Sequence, residues 1–288
     1  MKCSLSAVWP AELLNPSGLR KSSGPDNGYP AAKRSTERGQ TMIIDKGLGR
    51  NAFMDLIESA SDYIDCIKLG FGTAVLYPSE LLLYKIGLAK KHGITIMPGG
   101  TLLEIAVQQN TAPAFLNAIC SLGFSGMEVS DGTIELSRKQ RTELIREGVN
   151  CGLRVVSEYG KKLSGSLIDA ADLAVTAECD LEAGSELVTV EARESGVGVG
   201  IFDSQGNCRK DLLDAVMRFV PDSKRLMWEA PLKHQQVMLL EMLGADTHLG
   251  NIQPADAMSL EALRRGLRSD TFNFGLQVRQ AEEFCYMI

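Results

Sequence analysis

The sequence predicts a single (β/α)8 barrel, and three observations lead to that fold class. Short runs of β-branched and apolar residues alternate with longer segments of helical spacing over about 230 residues, close to the ~250 residues that eight βα units require. Several predicted helices end in glycine, the residue preferred after a helix C-terminus. The GxGxxG turn of a dinucleotide-binding open sheet is absent after the first strand, and VGVGIF (197–202) comes too late to replace it.

Eight predicted strands follow one another, with starts separated by roughly 20 to 40 residues, as βα units require. They are MIID (42–45), IDCIKLG (64–70), ITIMPGG (94–100), SGMEVSDG (125–132), LRVVSEYG (153–160), ELVTVEARES (186–195), RLMWEAP (225–231) and ADTHLGNI (245–252). Helical spacing between them is clearest at 79–93 and 114–123. The glycines predicted to end helices are Gly93, Gly123, Gly152 and Gly244.

The two ends of the chain differ from this pattern. Residues 1–40 are rich in Pro, Gly, Ser and charge without periodicity, which predicts a disordered or poorly ordered leader. The barrel domain is predicted over 41–288, with a short closing helix after Thr271.

Composition and net charge bear on the partners and the location of the protein. A net charge of −6 without a basic block argues against a nucleic-acid partner but leaves room for an anionic substrate. The seven scattered cysteines contain no CxxC, which favours a reducing, cytoplasmic location. No apolar run approaches the ~18 residues of a membrane span, so no membrane partner is expected.

Charged and polar side chains gather at the predicted strand ends, where a barrel forms its active site. If these side chains pointed toward the outer helices, each one buried without a hydrogen-bond partner would cost ~1–3 kcal/mol of folding free energy. We therefore expect them to face the barrel mouth. They include Asp45, Lys46, Lys68, Glu128, Ser130, Asp131, Glu158, Lys161, Lys162, Glu191, Arg193, Glu194, Glu229, Lys233, His248 and Asn251.

Three of these carboxylates, Glu128, Glu158 and Glu191, form a candidate Mg²⁺ site on neighbouring strands, because a hard cation prefers oxygen ligands. Any one of them alone could instead be the salt-bridge partner of a nearby lysine. Acidic residues near the ends of five of the eight strands favour a functional set. For His248, a structural and a ligand role are equally open.

Nine motifs, in one order over residues 42–272, resemble those of the phosphosulfolactate synthase family. They are IDKGLG (44–49), KLGFGTA (68–74), PGGTLLE (98–104), MEVSDG (127–132), SEYGKK (157–162), EARESG (191–196), WEAPLKHQQ (228–236), HLGNI (248–252) and SLEALRRGLRSDT (259–271).

The resemblance implies a TIM-barrel enzyme that catalyses the Mg²⁺-dependent addition of sulfite to phosphoenolpyruvate, giving (2R)-phospho-3-sulfolactate. Sulfite sulfur attacks the methylene carbon, and negative charge moves onto the carboxylate as an enediolate. The implied partners are these two small molecules, and assembly into a homo-oligomer stays open. In methanogens the product feeds coenzyme M biosynthesis; bacterial members can serve sulfolactate production.

The resemblance also implies residue roles. Lys162 is expected to be the general acid that protonates C2. Lys161 is a second catalytic candidate, with the alternative that it is only an electrostatic neighbour of Lys162. We expect nearby cations to lower the pKa of Lys162 toward a useful range. The cations expected to offset the repulsion between the two anionic substrates are Lys46, Lys68, Arg193 and Lys233.

Phosphate often binds at the loops after strands seven and eight of such barrels, which points to Gly250 and Asn251. The chain departs from the family pattern at Ala74, where Ser is common, and at His248, where Asn is common. Two alternatives remain beside the synthase. One is a related barrel lyase acting on another phosphorylated enol acid, and the other is a non-catalytic member like the plant heat-stress proteins that resemble this family.

Overall fold

Eight parallel strands with helices between them form a barrel in the computed structural model, which describes residues 8–21, 38–163 and 165–274. The predicted fold class is therefore confirmed. The strands are β1 Thr41–Asp45, β2 Cys66–Leu69, β3 Thr95–Pro98, β4 Gly126–Val129, β5 Arg154–Tyr159, β6 Val188–Val190, β7 Leu226–Glu229 and β8 His248–Ile252. The helices are α1 Ala11–Leu14, α2 Arg50–Ala60, α3 Ser79–Lys91, α4 Gly100–Gln108, α5 Ala112–Leu122, α6 Arg138–Asn150, α7 Ala170–Ala183, α8 Lys210–Phe219, α9 Lys233–Leu243 and α10 Ala257–Arg264.

The barrel closes by pairing of β1 with β8, and the strand order is β3-β2-β1-β8-β7-β6-β5-β4. The described strands β3 and β4 are neighbours that share no ladder. The amide of Ser125 still donates to the carbonyl of Ile96 at 3.2 Å, but Pro98 has no N–H to contribute. Two helices, α4 and α5, follow β3 where the sequence predicted only the second.

Most predicted elements lie within a few residues of the observed ones, and two boundaries matter for the site. Strand β6 ends at Val190, so Glu191 lies just beyond it. Strand β8 begins at His248, so this histidine lies at the amino end of the barrel. The expectation that His248 lies at the barrel mouth is wrong, because the strand starts three residues later than the sequence pattern suggested.

The barrel interior is filled in three layers. An ion pair between Arg154 and Glu186 lies at the amino end, with Gln40 accepting a hydrogen bond from Arg154. Apolar side chains fill the middle, and charged side chains line the carboxyl end of the strands. The middle layer consists of Met42, Cys66, Met97, Val156, Leu187 and Met227.

Part of the predicted leader packs against the amino end of the barrel. Arg20 is buried and pairs with Asp246 at 2.8 Å and with Glu261 at 3.2 Å. The rest of the predicted leader, residues 1–7 and 22–37, lies outside the described residues, as do residues 275–288 of the predicted closing helix. Across the described part of the chain, every helix is too short or too polar to span a bilayer.

Candidate active site

Four glutamates converge at the carboxyl ends of neighbouring strands. Glu128 lies on β4, Glu158 on β5 and Glu229 on β7, and Glu191 directly follows β6. All four are at most 3% exposed. They point inward, whereas most of the residues on either side of them, such as Val129, Val190 and Trp228, pack outward in the core against the helices.

Lys68 on β2 lies at the centre of three of these carboxylates. Its Nζ is 3.1 Å from Glu128, 3.4 Å from Glu158 and 2.9 Å from Glu229. Burial lowers the pKa of Lys68, but the charges of Glu128 and Glu229 outweigh it, and the pKa is raised well above its usual value. Lys68 is therefore a permanently charged ammonium group at the floor of the site.

Lys162 enters the site from the loop after β5. Its Nζ is 3.1 Å from Glu158, 3.3 Å from Glu104 and 3.9 Å from Glu191. Burial lowers the pKa of Lys162, but the charge of Glu158, followed by that of Glu191, raises it above its usual value overall. The expectation that cations lower this pKa is wrong, because carboxylates are the nearest charges to the ammonium group.

The carboxylates outnumber the lysines that contact them. The pKa values of the glutamates are therefore shifted in different directions. Burial raises the pKa of Glu191 well above its usual range, and the nearby charge of Glu158 raises it further. Burial likewise raises the pKa of Glu128 to about 7, against the opposing charge of Lys68. Burial also disfavours the charge of Glu158, yet Lys162 and Lys68 hold its pKa below its usual value. A bound cation would balance this excess of carboxylates over lysines.

Glu158, Glu191 and Glu229 could hold that cation. Their oxygen atoms lie within 4.8 Å of one another. The Oε2 atom of Glu191 is buried without a hydrogen-bond partner among the described residues. An all-oxygen donor set with a free lone pair fits Mg²⁺. Glu128, which the sequence placed in the metal site, accepts a hydrogen bond from the Gly100 amide at 2.7 Å, and Glu229 takes its place in the cluster.

The remaining predicted cations differ in position. Arg193 lines a cavity of about 270 Å³ together with Lys68 and Lys162, whereas Lys46 lies exposed on the loop after β1. Lys233, at the start of α9, is 49% exposed and pairs with Asp270 at 2.8 Å outside this cavity. The structure thus brings two of the four predicted cations into the cavity.

Lys161 faces away from the cavity. Its Nζ donates to the carbonyls of Asp131 and Ile134 and pairs with Glu135 at 3.1 Å. It lines a separate cavity of about 470 Å³ whose acidic and basic groups largely pair with one another. Lys161 ties the loop after β5 to the loop after β4, and its predicted catalytic role gains no support from this geometry.

The two predicted phosphate-binding residues also separate. Gly250 lies within β8, where an added Cβ would be 2.8 Å from the Met42 methyl group, so it allows close packing of the barrel interior. Asn251 lines the cavity in a left-handed conformation with φ of 53°. Its Oδ1 is buried and has no hydrogen-bond partner within the described ranges, so it is available to a ligand.

Comparison with known proteins identifies the family. Residues 30–270 match the family model of (2R)-phospho-3-sulfolactate synthase. The chain is 39% identical over 244 residues to phosphosulfolactate synthase of Methanothermobacter thermautotrophicus, covering 84% of this chain and 94% of that protein. The chain belongs to the phosphosulfolactate synthase family. A second family member, from Bacillus subtilis, is 40% identical and covers 82% of this chain and 93% of its own length.

A solved structure shares the fold. 3-Hexulose-6-phosphate synthase from Salmonella typhimurium aligns with a TM-score of 0.50 at 15% identity, over 83% of this chain and 99% of that chain. This similarity supports the barrel fold of the present chain and carries no information about its chemistry.

Two residues at the site, Glu229 and Glu104, have no predicted role in the sequence analysis. Glu229 is only one of the charged residues at the strand ends, and the alternation of side chains along its strand is the signal that places it inside the barrel. Glu104 lies in the motif PGGTLLE, but it is on helix α4, which the sequence did not resolve as a separate element. Its contact with Lys162 joins residues 58 positions apart, and no local pattern encodes that.

Proposed function

We propose that this chain is a phosphosulfolactate synthase that adds sulfite to phosphoenolpyruvate, with Mg²⁺ as its cofactor, to give (2R)-phospho-3-sulfolactate. The observation that carries the proposal is the placement of the Lys162 ammonium group beside a cluster of carboxylates suited to a divalent cation. The membership of the enzyme family supports the same reaction.

The charges of the site suit the meeting of two anions. Sulfite and phosphoenolpyruvate repel each other, so the enzyme must supply positive charge on both sides of the forming C–S bond. Lys68 at the floor and Arg193 at the wall of the cavity provide positive charge. Burial of Lys68 strengthens its effect, because charges interact more strongly where water is excluded.

Glu158, Glu191 and Glu229 would hold the Mg²⁺ ion. Bound there, the ion supplies Lewis-acid stabilisation of negative charge on substrate oxygens. Lys68 contacts Glu158 and Glu229 and holds both carboxylates in place.

Lys162 is the proton donor in this proposal. Attack of the sulfite sulfur on the methylene carbon forms the C–S bond and shifts the double-bond electrons toward the substrate carboxylate. A proton from the Lys162 ammonium group then adds to C2, and the lysine regains a proton from solvent. An ammonium group is protonated at neutral pH, so the acid is ready before each turnover.

Asn251 offers the N–H groups of its amide as donors for the substrate phosphate or carboxylate. It lies at the end of β8 and lines the cavity, and its unpartnered Oδ1, an acceptor, is left for a donor group or for the cation. Arg193 lines the same cavity, so the two residues could contact one anionic group together. Of the two residues predicted to bind phosphate, Gly250 and Asn251, the proposal keeps Asn251, which lines the cavity.

The test is an assay with phosphoenolpyruvate, sulfite and Mg²⁺, with the product identified by mass spectrometry. We expect phosphosulfolactate to form only when all three are present. Folded protein that forms no phosphosulfolactate would contradict the proposal. Turnover of a different phosphorylated enol acid in its place would favour the related lyase, and turnover of none would favour a non-catalytic role.

A further inference from the structure

The side chain of Lys162 is held along its whole length by segments outside its own loop. Its backbone amide donates to the carbonyl of Gly132 at 3.1 Å. Its Nζ contacts the hydroxyl of Thr101 and a carboxylate oxygen of Glu104, each at 3.3 Å. The side chain is only partly exposed, at 24%, so the ammonium group is fixed in one place at the cavity wall.

Glu104 is itself anchored before it meets Lys162. It lies on α4 and is 1% exposed. Its Oε1 accepts a hydrogen bond from the Ser130 hydroxyl at 2.5 Å, and its Oε2 accepts one from the Thr133 amide at 3.0 Å. A buried carboxylate with three partners from two loops is a rigid acceptor, since moving it would leave those donors unpaired.

Gly132 provides the space in which the Lys162 side chain lies. A Cβ added at Gly132 would be 2.9 Å from both Cγ and Cε of Lys162 and 3.0 Å from Cδ. Real carbon atoms do not approach so closely, so any larger residue at position 132 would push the lysine away. The absence of a side chain here lets the aliphatic part of Lys162 cross the loop toward the cavity.

We propose that Glu104 and Gly132 are positioning residues that direct the Lys162 ammonium group at the carbon to be protonated. The proposal rests on the proposed function, in which Lys162 is the proton donor. Glu104, together with Glu158 and Thr101, fixes the end of the side chain, and Gly132 leaves room for its path. Neither needs to touch the substrate, and both act through the placement of Lys162.

The experiment compares two substitutions that disturb Lys162 in different ways. Glu104→Gln keeps the size of the side chain but removes one of the charges that hold the ammonium group, while Glu158 at 3.1 Å remains. Gly132→Ala keeps every charge and displaces only the aliphatic part of the lysine. The matched control is Glu135→Gln, which removes the carboxylate 3.1 Å from the adjacent Lys161, outside the cavity.

We expect kcat to fall about 10- to 100-fold in both variants, because a displaced acid loses the advantage of correct orientation. The KM for phosphoenolpyruvate should stay within about threefold of wild type, since substrate binding does not depend on the orientation of the Lys162 ammonium group. Glu135→Gln should keep wild-type kcat. A loss of stability alone would not produce this split between kcat and KM in the folded fraction.

Wild-type kcat in both folded variants would overturn the positioning roles, as would equal losses in Glu135→Gln. If Glu104→Gln fails to fold, Gly132→Ala decides alone. If the wild-type protein makes no phosphosulfolactate, the proposed function has failed. In that case crystal structures of the two variants still decide the geometric claim, which requires Lys162 to leave its observed place in each.

Discussion

At the scale of the residue, the adjacent lysines Lys161 and Lys162 have different surroundings because their side chains point in different directions. Lys162 points into the cavity beside Glu158, and Lys161 points to the outer loops. Gly160 before them has φ of 128°, a conformation that a residue with a side chain rarely adopts, and an added Cβ would be 2.8 Å from Glu191. The glycine turn thus brings the second lysine over the carboxylates.

We expect Lys162→Ala to lower kcat by about 10²- to 10⁴-fold, because a positioned general acid contributes that much to a rate. Binding of phosphoenolpyruvate, measured by isothermal titration calorimetry, should survive since Lys68 and Arg193 remain. Lys161→Ala serves as the comparison and should keep most of the activity. Wild-type turnover in Lys162→Ala would remove it from the proton-transfer step.

The metal cluster gives a second prediction. Glu229→Gln should weaken Mn²⁺ binding, followed by electron paramagnetic resonance, by about 10-fold or more, because it replaces an anionic ligand with a neutral one. Glu128→Gln should change the affinity much less, because Glu128 lies outside the three-carboxylate cluster. The reverse order of effects would restore the ligand set predicted from sequence. The measurement needs no turnover and so stands apart from the assay.

At the scale of the element, the loop between β1 and α2 is shaped by a buried ion pair. Asp45 and Lys85 are both fully buried, and Lys85 Nζ donates to Asp45 at 2.6 Å. The other oxygen of Asp45 accepts hydrogen bonds from the amides of Gly47 and Leu48 and from the Tyr77 hydroxyl. Asp45 therefore organises the loop from outside the cavity, although the sequence grouped it with the residues of the mouth.

We expect Lys85→Met to destabilise the protein by about 3–5 kcal/mol, because it leaves the Asp45 carboxylate buried without its counter-charge. Urea denaturation followed by circular dichroism measures the change. Lys91→Met on the exposed end of the same helix is the control and should change stability by less than about 0.5 kcal/mol. Equal stability of the two variants would show that the buried pair does not constrain the fold.

At the scale of the whole molecule, the two ends of the barrel perform different tasks. The carboxyl end holds the charged cavity, and the amino end is closed by the buried side chains of Arg20 and Arg264 and by the partly buried Arg154. Arg264 donates to the carbonyls of Ala245, Thr247 and Gln40, which joins α10 to the start of β8 and to the segment before β1. Closure of the barrel between β1 and β8 thus depends on polar contacts at the end opposite the site.

His248 belongs to this closure and makes stability depend on pH. Its Nδ1 accepts a hydrogen bond from the Gln40 amide at 2.9 Å, so it must be neutral in the folded state. Burial, reinforced by the charge of Arg264, lowers the pKa of His248 to about 4. As pH falls below about 6.5, His248 is protonated in the unfolded chain but stays neutral in the folded protein. The free energy of unfolding therefore decreases until about pH 4.

We expect this one group to cost about 3 kcal/mol of unfolding free energy between pH 7 and pH 4, since each pKa unit corresponds to about 1.4 kcal/mol. His248→Asn can keep a hydrogen-bond acceptor near the Gln40 amide without a titrating ring. The variant should lose less stability than wild type over that range when chemical denaturation is compared at both pH values. Parallel losses would contradict the assignment to His248.

Particular residues show how far prediction from sequence extends. Glu158, Glu191 and Lys162 were predicted to share one end of the barrel, and the structure places them together because parallel strands end at a common rim. The sequence pattern assigns no role to Glu104 or Glu229. Both depend on contacts that cross the barrel, such as the pair formed by Lys68 and Glu229, which are 161 residues apart.

The sequence by itself determined the alternation of strands and helices and the presence of charged groups at the strand ends. Both follow from local periodicity, which each segment carries independently of the others. Only the tertiary structure decided which carboxylates meet, which of two adjacent lysines enters the cavity, and the direction in which their pKa values move. Those properties depend on distances of 3 to 5 Å between distant segments, and electrostatic energy changes steeply at that range.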